Sequence, residues 1–388
     1  MDIDHPLAAH GRGTVWHITN HFMNDIGSSE EMYFPQEPDL NEFDIALSAR
    51  LINAFLAMHE KEQSFSPENV PGEGVWEMCK HEFHGELYTL LFNRDVEGFA
   101  RYMSVAFRKN ICWGLGGGEA GFKAISSQTG SNLHNVLIIK DRLISLAEAV
   151  GALPYENPEQ GLYGHHVSLP TRDIVDRIHN KLRYEIFRPE VMGLFGLRYG
   201  DYLIDFKAPE DAYSVFRLKC LCEEFGANHV AEIGGGFGSA AFQSRRAGIT
   251  SHTIFDLPII CTVQGYFLCK IYGGDAVSLY NEGDDDRPLK TLPYWEFFNA
   301  GRKFDLVYNR DSLPEIPKAH VQRYLDEIER RRVPLLSINQ EAKAEAGQIN
   351  LHQISVSEMM NMKMYRSQRH PYWIRKGYVE ELYTLRSR

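Results

Sequence analysis

Apolar residues recur every three or four positions through much of the first two hundred residues of the chain. Leu40, Phe43, Leu47, Leu51, Phe55 and Met58 share one stripe of a predicted helix, and the stretches 87–107 and 133–153 repeat that spacing. LPTRDIVDRIHNKLRYEIF, around Thr171, opens on Pro and Thr and then runs amphipathically, which is a helix start. Few segments of this half alternate as strands do. From His229 onward the pattern changes to short apolar runs, HVAEIG, SHTIFD, DAVSLY, FDLVYN and PLLSIN, with amphipathic segments between most of them. Continuous apolar runs alternating with helices predict a parallel sheet covered on both faces. The tail HPYWIRKGYVEELYTL reads as an antiparallel hairpin turning at Lys376 and Gly377. The expected architecture is therefore α/β: a mainly helical lobe over 1–208, then a doubly wound sheet with a C-terminal hairpin over 209–388.

A length of 388 residues suits two lobes, and 44% hydrophobic with 24% charged residues suits an ordinary globular chain. The net charge of −11 argues against general binding to nucleic acid or to an anionic membrane, which need a basic surface. The charge is uneven, since the segment from Gly301 carries five more basic than acidic residues; RRR at 330–332 fits a solvated helix end. The six cysteines form no CxxC pair and no zinc-ligand spacing, and read as reduced, packed thiols. MDIDHPLAAHGRG has neither a basic start nor an apolar core, and no apolar run approaches 18 residues, so a cytoplasmic protein is expected.

The first candidate for chemistry is AEIGGGFGSA, Ala231 to Ala240. A cofactor loop needs a strand that stops, a tight turn that admits a ligand to the backbone, and a helix N-terminus, and residues 229–248 offer all three. Gly234, Gly236 and Gly238 give GxGxG, while Ser239 stands where the dinucleotide pattern GxGxxG needs its last glycine. Glu232 precedes the loop, where a carboxylate favours a cationic amino-acid cofactor over a pyrophosphate, directly or through water. Asp256 closes the next apolar run, at an offset that suits a carboxylate accepting both hydroxyls of a ribose. S-adenosyl-L-methionine fits this set best. Gly235 and Phe237 in the loop, and Leu257 beside Asp256, complete the expected cofactor contacts.

EIGGGFG at 232–238, FDLP at 255–258, NRDSLPEIP at 309–317, SINQEA at 337–342 and GYVEELY at 377–383 carry a closer likeness. Residues 229–388 resemble a class I methyltransferase with a Rossmann-like sheet, and the whole chain resembles a family provisionally named for sugar O-methylation. The resemblance implies a cytoplasmic enzyme that moves the cofactor's methyl to a hydroxyl of a sugar or other polyhydroxylated small molecule, leaving S-adenosyl-L-homocysteine. The family's Asn, Asp-Ser and Glu after the fourth strand match Asn309, Asp311, Ser312 and Glu315; Ile316 replaces the usual Met.

Methyl transfer from a sulfonium is an in-line displacement, so the protein must align the acceptor oxygen and remove its proton. The segment after FDLVYN is the natural place for that end of the site. Asp311, Glu315 and His320 are the candidate bases, Asn309 is expected at the cofactor, and Ser312, His165 and His166 are candidate acceptor contacts. A competing role for Asp311 or Ser312 is to cap a helix begun by Pro314, with Glu315 in its first turn. Two carboxylates could also hold a divalent metal against vicinal hydroxyls, although nothing requires one and no metal ligand is assigned. The pairs His17/His21 and His81/His84 lack the acid of a zinc helix and read as ordinary histidines. The second triple glycine, in WGLGGGEAG at 113–121, has no following ribose acid and reads as a turn, or as a hinge over the acceptor. Trp16, Trp76 and Trp113 could stack on a ring. Two readings compete with a sugar acceptor on the same fold, a phenol or an amine; a nicotinamide oxidoreductase and a non-catalytic scaffold are further alternatives. The helical lobe is expected to cap the pocket and could dimerise.

Overall fold

The computed structural model describes residues 31–71, 75–113, 118–127, 132–156, 159, 164–283, 286–341, 355–360 and 364–385. Four short strands, β1 (Met32–Tyr33), β2 (Arg188–Pro189), β3 (Gly196–Tyr199) and β4 (Tyr202–Ile204), form a small sheet in the order β1-β3-β4-β2. The remaining eight are β5 (His229–Ile233), β6 (Ser251–Asp256), β7 (Val277–Ser278), β8 (Leu289–Pro293), β9 (Leu306–Arg310), β10 (Leu335–Gln340), β11 (Met364–Pro371) and β12 (Tyr378–Leu385). They form one sheet, β11-β12-β10-β9-β5-β6-β8-β7, parallel except where β12 pairs antiparallel with β10 and β11. The chain enters at β5, winds outward through β6 to the β7/β8 edge, then crosses back to β9 on the other side of β5. That order is the Rossmann-like methyltransferase sheet. Its reversal between β5 and β9 opens a crevice at the carboxyl ends of both strands.

Side chains alternate between two cores across this sheet. Val230, Leu306 and Leu336 join one cluster, while Ala231, Val307 and Leu335 join the other. Burial on both faces explains why these strands are continuous apolar runs. Two strands depart from the reading of the sequence. β8 was hidden in PLKTLP, where Pro and a Lys mask an interior strand. The hairpin's first strand is the polar MYRSQRHP instead of HPYWI, because an edge strand facing water needs no apolar face and its charges block further pairing. Tyr372 and Ile374 are instead loop residues buried against the core.

The helices before β2 are α1 (Glu42–Gln63), α2 (Val75–Glu82), α3 (Gly85–Phe92), α4 (Val96–Ser104), α5 (Glu119–Ser126), α6 (Leu133–Ala149) and α7 (Thr171–Leu182). The predicted helix over 87–107 is two helices: Arg94 adopts φ 53°, and Asp95 accepts from the Gly98 N–H to cap α4. α1 starts in a capping box between Asn41 and Asp44. After β4 come α8 (Ala208–Phe225), α9 (Ser239–Arg246), α10 (Pro258–Tyr272), α11 (Lys318–Arg331) and α12 (Val356–Met359).

Leu47, Leu51, Ile52, Phe55 and Met58 of α1 are buried in one core with Ile260, Val263 and Phe267 of α10. Each such side chain contributes about 1.5–3 kcal/mol of gross burial. A Cβ on Gly265 of α10 would lie 2.7 Å from the Leu51 side chain, so only glycine allows this approach. Asp44 reinforces it by accepting from Lys270 and Tyr266. The core on the opposite flank likewise runs from Met32 through α6, α7 and α8 to Leu382, so both halves share their cores. The expected boundary after residue 208 falls at the first residue of α8.

Candidate active site

A cavity of about 350 Å³ occupies the crevice at the carboxyl ends of β5, β6 and β9. Its floor is Glu232 to Phe237, its far end Phe255 to Leu257, and its near wall Arg310 to Ser312 with Glu315 and His320. Pro71, Val75, Trp76, Cys79 and Trp113 of the helical half line it as well. Among the described residues the sequence thus brings Glu232, Gly234, Gly235, Gly236, Phe237, Asp256, Leu257, Asp311, Ser312, Glu315 and His320 to one cavity.

The floor is shaped by backbone that only glycine adopts easily. Gly234, Gly236 and Gly238 have φ of 68°, 56° and 92°. Gly238 donates to the Gly235 carbonyl at 2.9 Å and opens α9, outside the cavity lining. Glu232, 4% exposed, accepts from His252 Nε2 at 3.0 Å, and His252 Nδ1 lies 3.0 Å from the Ser244 hydroxyl. The histidine fixes the Glu232 carboxylate beside the loop, where its Oε2 lies 3.0 Å from the position a Cβ on Gly235 would take.

Asp256 accepts from the Leu257 N–H at 2.8 Å and from Gln264 Nε2 at 2.7 Å, which leaves each oxygen a further lone pair. Burial pushes its carboxyl up to about 7, with the Glu232 charge adding to the rise and the hydrogen bonds opposing it. Here a ligand donating to both oxygens would relieve a charge held at a cost.

Glu315 lies in a single 3₁₀ turn, Leu313–Glu315, and α11 begins only after Pro317. The helix start expected at Pro314 is therefore displaced, and Ser312 makes no side-chain cap bond. Its hydroxyl donates instead to the Ile233 carbonyl at 2.9 Å. Asn309, fully buried, donates to the same carbonyl at 2.8 Å and accepts from Asn339, so it ties β9 to β5 and β10 beneath the cavity. It does not line the cavity, contrary to its expected place at the cofactor.

Asp311 has φ 63°, a conformation that Asp tolerates better than most residues, and it turns its carboxylate toward the hairpin. Tyr378 donates to it at 2.7 Å and Arg375 at 3.3 Å. Glu315 makes no salt bridge among the described residues, and Lys207 acts on it only from a distance. The Trp76 indole N–H donates to its Oε2 at 3.0 Å. Burial pushes the Glu315 carboxyl up to about 8, with the Asp311 charge adding to it. Burial also lowers His320, so its imidazole stays neutral near pH 7. Glu315 is thus a candidate base whose carboxyl is raised into the neutral range, a choice the sequence left open. Replacing Trp76 with Phe removes a bond that favours the ionised carboxylate. At about 1 kcal/mol for such a bond, the acid limb of a pH–rate profile should move up by about 0.5–1 unit.

His165 and His166 are not brought to the cavity. His166 Nδ1 lies 3.1 Å from Glu148 at the end of α6, and its backbone N–H donates to Glu156 at 2.8 Å; His165 is exposed. Their expected acceptor contacts are corrected: carboxylates of its own flank hold His166, and His165 faces solvent. Among the described residues these three, and not Asp311 with Glu315, form the converging trio of potential metal ligands. His81 is exposed beside Glu77 and His84 is buried. His17, His21, Trp16 and the glycines at 114–117 lie outside the described residues.

Four polar residues of the lining escaped sequence reading: Lys207, Asp211, Ser239 and Arg310. Asp211, fully buried at the start of α8, accepts from Arg188, Ser239 and Arg310. It joins the small sheet, the glycine-loop helix and β9 at one carboxylate. The sole signal was the charge cluster KAPED at 207–211, which alone reads as an ordinary helix start.

No family model matches the chain. No curated protein matches it either. Among solved structures, the mitomycin 7-O-methyltransferase MmcR is 12% identical over 64% of this chain and 94% of its own, with a TM-score of 0.32. The N-terminal domain of EvdMO1, determined in the presence of SAH and D-fucose, is 12% identical over 50% of this chain and 90% of its own, at 0.33. A mutant of MtNAS is 11% identical over 90% of this chain and 100% of its own, also at 0.33. At such identities and scores, the strand order and the geometry of the site carry the reading on their own.

Proposed function

We propose that this protein is an S-adenosyl-L-methionine-dependent O-methyltransferase whose acceptor is a hydroxyl of a sugar or similar polyhydroxylated small molecule. The observation behind it is that one cavity joins a glycine floor, flanked by Glu232 and Asp256, to a raised carboxyl, Glu315, at the β9 end. The donor set suits that cofactor: Glu232 for an ammonium, loop backbone for the amino-acid end, Asp256 for ribose hydroxyls. Bound there, the cofactor would supply a methyl group on a sulfonium, open to in-line attack by the acceptor oxygen.

The chain's own part is alignment and proton removal. Trp76 engages Oε2 of Glu315, leaving Oε1 to take the hydroxyl proton. Asp311 lines the same cavity while Tyr378 and Arg375 hold its carboxylate, and its remaining lone pairs would accept from a second hydroxyl of a polyol. The indoles of Trp76 and Trp113 offer faces for a sugar ring. A second reading, a phenolic acceptor, draws on the apolar character of the same wall, where Val75, Cys79 and Phe298 accompany them. No helix among the described residues is long and apolar enough to cross a membrane.

Calorimetry with S-adenosylmethionine, S-adenosylhomocysteine and NAD tests the cofactor; binding of NAD alone would sink the proposal. Mass spectrometry of extract incubated with methyl-labelled cofactor would then find the acceptor. A pH effect accompanies binding. Ribose hydroxyls stabilise ionised Asp256, whose carboxyl stands at about 7 in the free protein, so binding lowers that value and releases protons. Affinity for 5′-methylthioadenosine, which has the ribose but no amino acid to titrate, should therefore rise between pH 6 and 8. A flat profile would show that Asp256 does not meet the ribose.

A further inference from the structure

We propose that Lys207 is the anion anchor of the cavity and takes the carboxylate of the cofactor's amino-acid end. This rests on the S-adenosylmethionine reading. Among the described residues two basic side chains line the cavity, Lys207 and Arg310. Arg310 is committed: its guanidinium donates to Asp211 and, at 3.3 Å, to the Ser214 hydroxyl. Lys207 is held less closely. Its nearest carboxylate among the described residues is Glu210, in an ion pair at 3.8 Å that is beyond hydrogen-bond range, and Arg142 meets Glu210 more closely, at 2.7 Å. A side chain only 19% exposed thus brings three ammonium protons to the cavity without a close acceptor.

The position of Lys207 selects the amino-acid end over the ribose end. Its carbonyl accepts from the Asp211 N–H at 2.9 Å, and Asp211 holds the hydroxyl of Ser239, which opens α9 directly after the glycine loop. The next residue, Ala208, gives its carbonyl to Gln243 of α9 at 3.2 Å. Two bonds therefore dock the start of α8 onto the helix that the loop begins. Asp256, the ribose carboxylate, lies at the end of a different strand. On the other side, Lys207 is close enough to Glu315 to offset part of the rise in its carboxyl. An anion at Lys207 would thus sit between the loop and the reacting end. Glu232 and Lys207 together match the two charges of an amino acid.

The test compares S-adenosylhomocysteine, which has the carboxylate, with 5′-methylthioadenosine, which lacks the amino-acid end. In Lys207→Gln the homocysteine ligand should bind about 10–100-fold more weakly, as for loss of a charge-assisted bond, while methylthioadenosine changes less than about twofold. Lys207→Arg should restore part of the difference, and an unchanged melting temperature in both variants confirms the fold. Equal weakening of both ligands, or of neither, overturns the proposal. Unchanged homocysteine binding with a raised KM for the acceptor also overturns it, by assigning the anion to the acceptor. If the unaltered protein binds neither ligand, the cofactor reading itself falls.

Discussion

Glu315→Gln is expected to lower kcat by about 10²–10⁴-fold, the usual share of a general base, with cofactor affinity nearly intact. The amide keeps the size of the side chain and can still accept from Trp76, so the roof of the cavity, the lining that Val75, Trp76 and Cys79 of α2 supply, should remain in place. What disappears is the group that receives the acceptor's proton. The pH dependence supplies an independent check. A carboxyl at about 8 in the free enzyme is mostly protonated at pH 6 and mostly ionised at pH 9. As a base it must be ionised, so kcat/KM should rise with pH to a plateau above about 8, and Glu315→Gln should lose that limb. The same shift bears on stability with the opposite sign. A carboxyl raised from its ordinary value favours the folded protein while protonated, and that contribution is lost progressively as pH rises from about 4.5 to 8. Activity and cofactor-free stability are thus expected to move in opposite directions through this window. An equal loss of cofactor binding and turnover in Glu315→Gln would mark the residue as structural.

The second large effect is expected at the other end of the cavity. Asp256→Ala removes a carboxylate that Gln264 and the Leu257 N–H hold in place, and with it the hydrogen bonds that the proposed function assigns to two ribose hydroxyls. At about 1.5–3 kcal/mol for a bond to a charged group, cofactor Kd should rise by about 10²–10³-fold. The loss should be the same for S-adenosylhomocysteine and methylthioadenosine, since both carry the ribose. That shared loss separates Asp256 from Lys207, whose replacement should affect the first ligand only. Kd values within threefold of the unaltered protein would remove Asp256 from the site.

The residues the sequence revealed and those it concealed differ in how far their partners lie along the chain. The glycine loop and Asp256 are read from one βαβ unit, because turn, helix start and ribose acid are local requirements spaced by the unit itself. The parallel strands were legible for the same reason, burial on both faces writing a continuous apolar run. The roof was not. Trp76 meets Glu315 across 239 positions, and its helix α2 has the same apolar spacing it would have as a plain surface helix. Lys207 and Asp211 look like the polar opening of α8, and only the docking of that helix on α9 turns them toward the cavity. Asn309 failed in the other direction: its place after β9 suggested a ligand contact, whereas its amide is consumed in joining three strands. The histidines at 165 and 166 were placed by their loop, and loops carry no information about which carboxylate will capture them.

The packing of α1 on α10 also has a consequence for how the molecule is made. The bond between Asp44 and Tyr266 spans 222 positions, and the apolar stripe of α1 has partners both close by, in α3 and α4, and on distant α10. Contacts this distant in the chain close slowly, because loop-closure entropy is spent before any burial is gained. During synthesis α3 and α4 follow α1 closely, but the part of its face that meets α10 stays open long after they have emerged, which is the situation that recruits chaperones. The cavity draws its lining from residues as far apart as Pro71 and Tyr324, so it becomes complete only when the whole chain between them is free to fold.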